Sequence, residues 1–251
     1  MKIHEFGTNN EKIIVLIHPS VVMWDYFEYV ISLMENEYHI IVPALPGYDK
    51  ENPYDDFTSI ESIADELLKI LIKKKIDSID VLYGCSMGGS IVLRMLANKK
   101  LFVKKAVCDG GITPYNLPWI ITRIIALRDF LMICIGKIGG IKLLEKAFPT
   151  DEYNNNDDDL KYISNVLSFM SYKTIWRTFE SCNNYKMPKS ISNYKGKLEY
   201  WYGEKEKRDR KLDIKYVREN FPYAKIIELK NKGHASMAWL YPKEMVEMLK
   251  K

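Results

Sequence analysis

The stretch Val81-Leu82-Tyr83-Gly84-Cys85-Ser86-Met87-Gly88-Gly89 governs how the rest of this chain is read. It begins as the apolar run of a buried strand and ends in a serine fenced by glycines. Gly84 to Gly88 fits the pattern G-x-S-x-G, in which a sharp strand-to-helix turn pushes one serine hydroxyl out of a sheet. Small residues on either side make room for that turn. Behind the serine, Ile91, Val92, Met95 and Leu96 recur at helical spacing. A five-residue pattern also arises by chance at an ordinary glycine-rich helix start, so its surroundings decide.

Those surroundings alternate. Ile13 to Ile17, Tyr38 to Val42, Ile79 to Tyr83, Val103 to Cys108, Leu198 to Tyr202 and Lys225 to Leu229 are short runs suited to strands buried on both faces. Between them Ile60, Ile63, Leu67, Ile70 and Leu71 fall on one helical face. The pattern predicts an α/β fold, a mostly parallel central sheet with helices on both faces. In such sheets chemistry gathers at the carboxyl ends of the strands, where Ser86 sits. From Pro114 to Pro188 the alternation stops. Leu160, Ile163, Leu167 and Met170 step at helical spacing, and the polar tract Asp151 to Asp159 suits a loop. Residues 1–113 and 189–251 therefore form one core, and 114–188 a helical insertion.

Composition narrows the function. The 251 residues carry 37 Lys and Arg against 33 Asp and Glu, and a net charge of +4 is too small to point to nucleic acid. The basic cluster Lys205 to Lys211 is interleaved with acids and suits a solvated face. Four scattered cysteines read as buried thiols in a reducing compartment, not a disulfide frame. The first residues lack an apolar signal core, and the most apolar window, Leu117 to Gly136, is broken by Arg123, Arg128 and Asp129. A cytoplasmic protein without stable membrane insertion is the expectation.

A serine hydroxyl needs an adjacent base and a third group to orient it. Of the four histidines, His4 and His39 lie in segments that suit structural roles, and His18 closes a strand ahead of a proline. His234 follows the last strand on the loop Lys230 to His234, at the strand-end rim. The acid should fall between Ser86 and His234. Glu206, three residues past Gly203, can turn back towards His234, with Glu204, Asp209 and Asp109 as competitors. The developing negative charge needs backbone N–H donors. Met87, at the helix start, supplies one. The turn His18-Pro19-Ser20 supplies the other from Ser20, because proline has no N–H.

Together these residues resemble the α/β-hydrolase fold, specifically serine hydrolases of the esterase and lipase kind with a helical cap. IIVLIHPS resembles the family's oxyanion turn, ALPGY the loop that follows it, and YGCSMGG its nucleophile elbow. YGEKE and NKGHASMAW resemble its acid and histidine loops. Pro19 replaces a usual glycine, Ala44 a common aspartate, and Glu206 the usual aspartate. The resemblance implies a cofactor-free enzyme that cleaves small-molecule carboxylic esters through Ser86, His234 and Glu206, with thioesters as a variant. It also keeps open carbon–carbon bond hydrolysis or a lyase reaction with the same triad, and a non-enzymatic ligand sensor. Asp109 remains the alternative acid, because some lipases of this fold take theirs from the strand after the nucleophile helix. The insertion forms the family's lid. Its aromatic and aliphatic residues mostly pack it onto the core, and a minority line an apolar acyl pocket with Trp24 and Met87. No clustered arginines await a phosphate.

Overall fold

The computed structural model describes residues 1–98, 100–115, 117–140, 143, 157–188, 191 and 194–251. Seven strands form one sheet: β1 (Lys2–Phe6), β2 (Lys12–Ile17), β3 (Tyr38–Ala44), β4 (Ser78–Cys85), β5 (Phe102–Asp109), β6 (Lys197–Gly203) and β7 (Lys225–Leu229). Their order is β1-β3-β2-β4-β5-β6-β7, with β1 antiparallel to β3 and every other pair parallel. All six runs predicted as strands are strands. The seventh, β1, alternates polar with apolar residues (KIHEF) and was not anticipated. It pairs on one side only, so it needs no continuous apolar run.

The helices are α1 (Glu28–Met34), α2 (Ile60–Lys73), α3 (Met87–Leu96), α4 (Trp119–Gly139), α5 (Asp157–Phe169), α6 (Tyr172–Asn184), α7 (Lys211–Asn220), α8 (Met237–Leu240) and α9 (Pro242–Lys250). They cover both faces of the sheet. Along β2, Ile14 and Leu16 face the layer of α1 and α9, where Val30, Met34, Met245 and Leu249 are buried. Val15 and Ile17 face the opposite layer, with Leu67 and Leu71 of α2 and Ile91 and Met95 of α3. With side chains alternating across the sheet, a strand covered on both faces must be apolar at every position. Each such side chain withdrawn from water contributes about 1.5–3 kcal/mol.

The segment between β5 and β6 is helical, and among its described residues there is no strand. Of the tract expected as a loop, residues 151–156 lie outside the described residues. Asp157 to Asp159 instead open α5. Of the four residues predicted to share a helical face, Leu167 and Met170 are buried and Leu160 and Ile163 half-buried; Val166, not among them, is buried too.

The sheet order reverses between β2 and β4, because the chain passes from β2 to β3 on one side and returns to place β4 on the other. A crevice opens outside the carboxyl ends at such a point. The loops after β2 and β4 both end there, and glycines set how closely they approach. A Cβ on Gly84 would lie 2.2 Å from the Gly88 carbonyl oxygen, and one on Gly88 would lie 2.2 Å from that of Ile17. The glycines thus let α3 fold back over β4 and sit against the end of β2. Gly84→Ala should destabilise the protein by about 3 kcal/mol, since the obstruction is backbone and not a movable side chain. A thermal midpoint equal to wild type would show that α3 does not need this approach.

Candidate functional site

Ser86 joins β4 to α3 with φ 52° and ψ −116°, a conformation L-residues rarely adopt. Its N–H donates to the Asp109 carbonyl at 2.8 Å, tying the turn to the end of β5. From Val81 to Leu93 every residue except Ser86 is buried. The turn therefore does what the sequence pattern demands: one side chain of the run reaches the surface, and it is the serine.

The loops after β6 and β7 meet beside it. A Cβ on Gly203 would lie 2.6 Å from the Lys232 carbonyl oxygen, so the two loops touch through backbone. His234 sits on the second loop between Asn231 and Ala235, which both have positive φ. Its Nδ1 lies 2.8 Å from Oε2 of Glu206, in the short turn Glu204–Glu206 after β6. Because a carboxylate only accepts, Nδ1–H is the donor and Nε2 is left as the basic nitrogen. The ring is one-third exposed and Glu206 almost fully buried. Gly110, directly after the residue that holds Ser86, closes the arrangement: a Cβ there would lie 2.9 Å from His234 Nδ1 and 3.1 Å from Glu206 Oε1. Ser86, His234 and Glu206 are thus gathered around the end of β5.

The competing carboxylates make other contacts. Glu204 accepts from the Asn231 N–H at 2.9 Å and from Lys230, bracing the two loops. Asp209 is exposed. Asp109 is buried and accepts from the Tyr83 hydroxyl at 2.6 Å. Burial pushes its carboxyl up to about 6, and the Glu206 charge adds to the rise. Burial alone would push Glu206 up as well. The adjoining His234, its hydrogen bond and the Arg210 guanidinium outweigh that and hold Glu206 well below the usual carboxylate range.

Of the two residues expected to supply oxyanion donors, Met87 opens α3, where the first N–H groups have no helical partner. Its side chain is buried beneath the Tyr48 hydroxyl. Ser20 lies in the loop after β2, between Pro19 and Val21, a non-glycine residue at φ 65°. That loop is anchored by His18, which is fully buried, with Nδ1 2.8 Å from the Pro19 carbonyl and Nε2 accepting from the Leu45 N–H at 3.3 Å. Burial lowers its pKa to about 4, so the ring is a neutral structural tie. Trp24, expected to face the pocket, stacks on His4 with ring centroids 3.9 Å apart and on Phe6 at 6.0 Å, beside β1.

A family model described as the alpha/beta hydrolase family matches residues 14–248, nearly the whole chain. The chain belongs to the alpha/beta hydrolase family. Solved structures of similar fold include MenH from S. aureus, with 20% identity, TM-score 0.78, and 99% of this chain and 96% of that one covered. A carboxylesterase structure from Nitrososphaera gargenis gives 19% identity and TM-score 0.78, over 99% and 92%. The enol-lactonase from Burkholderia xenovorans gives 15% and 0.77, over 100% and 96%. No curated protein matches the chain. No helix among the described residues is long and apolar enough to cross a membrane.

Within this alpha/beta hydrolase, Arg210 is the site neighbour that the sequence did not reveal. The cluster Lys205 to Lys211 was expected to be solvated, yet the Arg210 side chain is only 15% exposed and its Nε donates to Glu206 Oε2 at 2.7 Å. Its other arm reaches Asp213 at 3.4 Å. Asp213 in turn accepts from both the N–H and the hydroxyl of Thr113, at 2.7 and 2.9 Å. The Gly203 N–H completes the cradle on Glu206 Oε1 at 3.0 Å. The signal available was spacing, since 206 and 210 are one helical turn apart.

Asp109 yields a pH test. A carboxyl whose pKa is higher in the fold than in the unfolded chain favours folding while protonated, and that contribution disappears as pH rises through the folded value. For Asp109 the window runs from its ordinary 3.8 to about 6. Asp109→Asn keeps an oxygen for Tyr83 and loses the titration. Relative to wild type, the variant should therefore gain on the order of 2–3 kcal/mol between about pH 4 and pH 8. Parallel thermal-midpoint curves for the two proteins across that range would refute the assignment.

Proposed function

We propose that this protein is a serine hydrolase of carboxylic esters with apolar acyl groups. The observation that carries the reading is the 2.8 Å pair of His234 Nδ1 and Glu206, gathered with the half-buried, strained Ser86 around the end of β5. Ser86 Oγ attacks the ester carbonyl while His234 Nε2 takes its proton. The Met87 and Ser20 N–H groups receive the negative charge that develops on the carbonyl oxygen. Glu206 holds the imidazole in the tautomer that frees Nε2 and stabilises the imidazolium. His234 then returns the proton to the leaving alcohol, and water, activated by the same nitrogen, releases the acid from the acyl-enzyme. Residues 114–188 serve as the cap. The esterase and lactonase structures of similar fold support hydrolysis of small esters.

A fluorophosphonate probe should label Ser86 alone. Ser86→Ala should abolish labelling and lower turnover of p-nitrophenyl acyl esters by a factor of order 10⁴ or more. Labelling that persists in Ser86→Ala would remove the nucleophile from this position. Ester turnover absent in a wild type that still labels would move the chemistry to another bond class.

The acid is tested separately. Glu206→Gln leaves His234 without its charged partner, so kcat should fall roughly 10²–10⁴-fold with little change in KM. Asp109→Asn should stay within a few-fold of wild type, since Asp109 bonds Tyr83. The reverse pattern would make Asp109 the acid.

A further inference from the structure

Helix α4 is apolar on two opposite faces, and only one of them has a partner among the described residues. The inner face packs on α5 and α6. Ala126 and Ile133 are buried, Thr122 Oγ1 donates to Asn184 Oδ1 at 2.7 Å, and Phe130 meets Trp176 edge-on at 5.6 Å. On the outer face Ile120, Ile124, Leu127, Leu131, Ile135 and Ile138 recur every three or four residues along the whole helix. Ile120 is 66% exposed, Ile124 62% and Ile138 77%. Trp119, Ile121 and Met132 widen the stripe. A helix apolar all round is normally buried all round.

We propose that this outer face is the interface with a second copy of the same chain, the two α4 helices packing antiparallel across a twofold axis that meets the stripe at the level of residue 129. Two observations select this occupant. The first is the arrangement of the stripe, which reads the same in both directions to within one residue. Reversal about position 129 places Ile120 on Ile138, Ile124 on Ile135 and Leu127 on Leu131. A twofold axis requires a surface complementary to itself, and this one meets apolar with apolar at every level. The second is area. These nine large side chains, on average more than half exposed, offer on the order of 1,000 Å². That exceeds the ~300–600 Å² of the largest patch on a typical monomer and reaches the ~800 Å² per partner of a stable interface.

Charge argues against a lipid surface as the occupant. A helix lying on a membrane turns basic side chains from its flanks towards the headgroups. Here Arg123 is turned to Glu180 at 2.9 Å and Lys137 donates to the Leu167 and Ser168 carbonyls, while Arg128 stays exposed on the flank, its charge paired with Asp129 at 2.7 Å. The stripe is left neutral, as a self-pairing face should be. The inference is independent of the proposed ester chemistry, because none of these side chains belongs to the Ser86, His234 and Glu206 cluster.

Sedimentation equilibrium of the full chain, without detergent and at micromolar concentration, should give twice the mass of one chain. Leu131→Arg should weaken association by roughly 30-fold or more, with circular dichroism and per-site esterase turnover unchanged. Orientation is read by cross-linking. Positions 120 and 138 are about 27 Å apart along one helix. Ile120→Cys and Ile138→Cys should therefore each stay uncross-linked alone and form a disulfide-linked dimer when mixed under oxidation. A monomeric wild type would overturn the proposal, whether the face is then found to bind lipid vesicles or to be covered by residues 141–156. A dimer that survives Leu131→Arg and gives no mixed cross-link would overturn it too, by placing the interface elsewhere.

Discussion

The site depends on one residue held where it would not rest by itself. Ser86 occupies φ 52°, ψ −116°, at a cost of about 1–3 kcal/mol relative to an ordinary backbone conformation. Three constraints hold it there. The parallel pairing of β4 with β5 carries the Ser86 N–H to the Asp109 carbonyl. The first turn of α3 is pressed against β4 and the end of β2 through Gly84 and Gly88. The packing of Ile91, Val92 and Met95 then fixes the helix that follows. The serine alone reaches the surface because its chain neighbours are all buried, and β4 is the middle strand of the seven.

Glu206 and His234 obey a different logic. Both stand on loops, and loops hold a geometry only when their polar groups are tied. Here the ties are hydrogen bonds: Gly203 and Arg210 to Glu206, Asn231 to Glu204, and the Lys205 N–H to the Lys232 carbonyl. A glutamate has one more rotatable bond than an aspartate and is harder to fix. Arg210 and the Gly203 N–H remove that freedom by holding one carboxylate oxygen each. A buried carboxylate stripped of these donors would carry an uncompensated desolvation cost, so the arginine belongs to the site although it stands behind it.

The sheet was legible in the sequence because burial on both faces leaves no room for ambiguity: Ile14 to Ile17 must all be apolar, and they are. The strand β1 was illegible for the converse reason, since an edge strand tolerates Lys2, His4 and Glu5. Ser86 and His234 were legible from their places at strand ends, and the bond between His234 and Glu206 lies where the loop lengths suggested. Arg210 was hidden by composition: in a lysine-rich run it looked like one more solvated charge, and only the fold shows that it turns inward. Trp24 was ambiguous because an aromatic near a turn packs equally well on a sheet edge, where it stands against His4. The outer face of α4 runs against the expectation that the insertion's apolar residues mostly pack onto the core. Periodicity reveals that a helix has an apolar side, not whether the same chain covers it.

The company kept by Arg210 also reaches beyond the cluster. Its guanidinium holds Glu206 with one nitrogen and Asp213 with another, and Asp213 holds both the N–H and the hydroxyl of Thr113, where the chain leaves β5 for the helical segment. Two regions about a hundred residues apart in the chain are thereby joined by one run of polar contacts. A displacement at the root of the helical segment would be felt at Asp213 first, and through Arg210 at the carboxylate that holds His234.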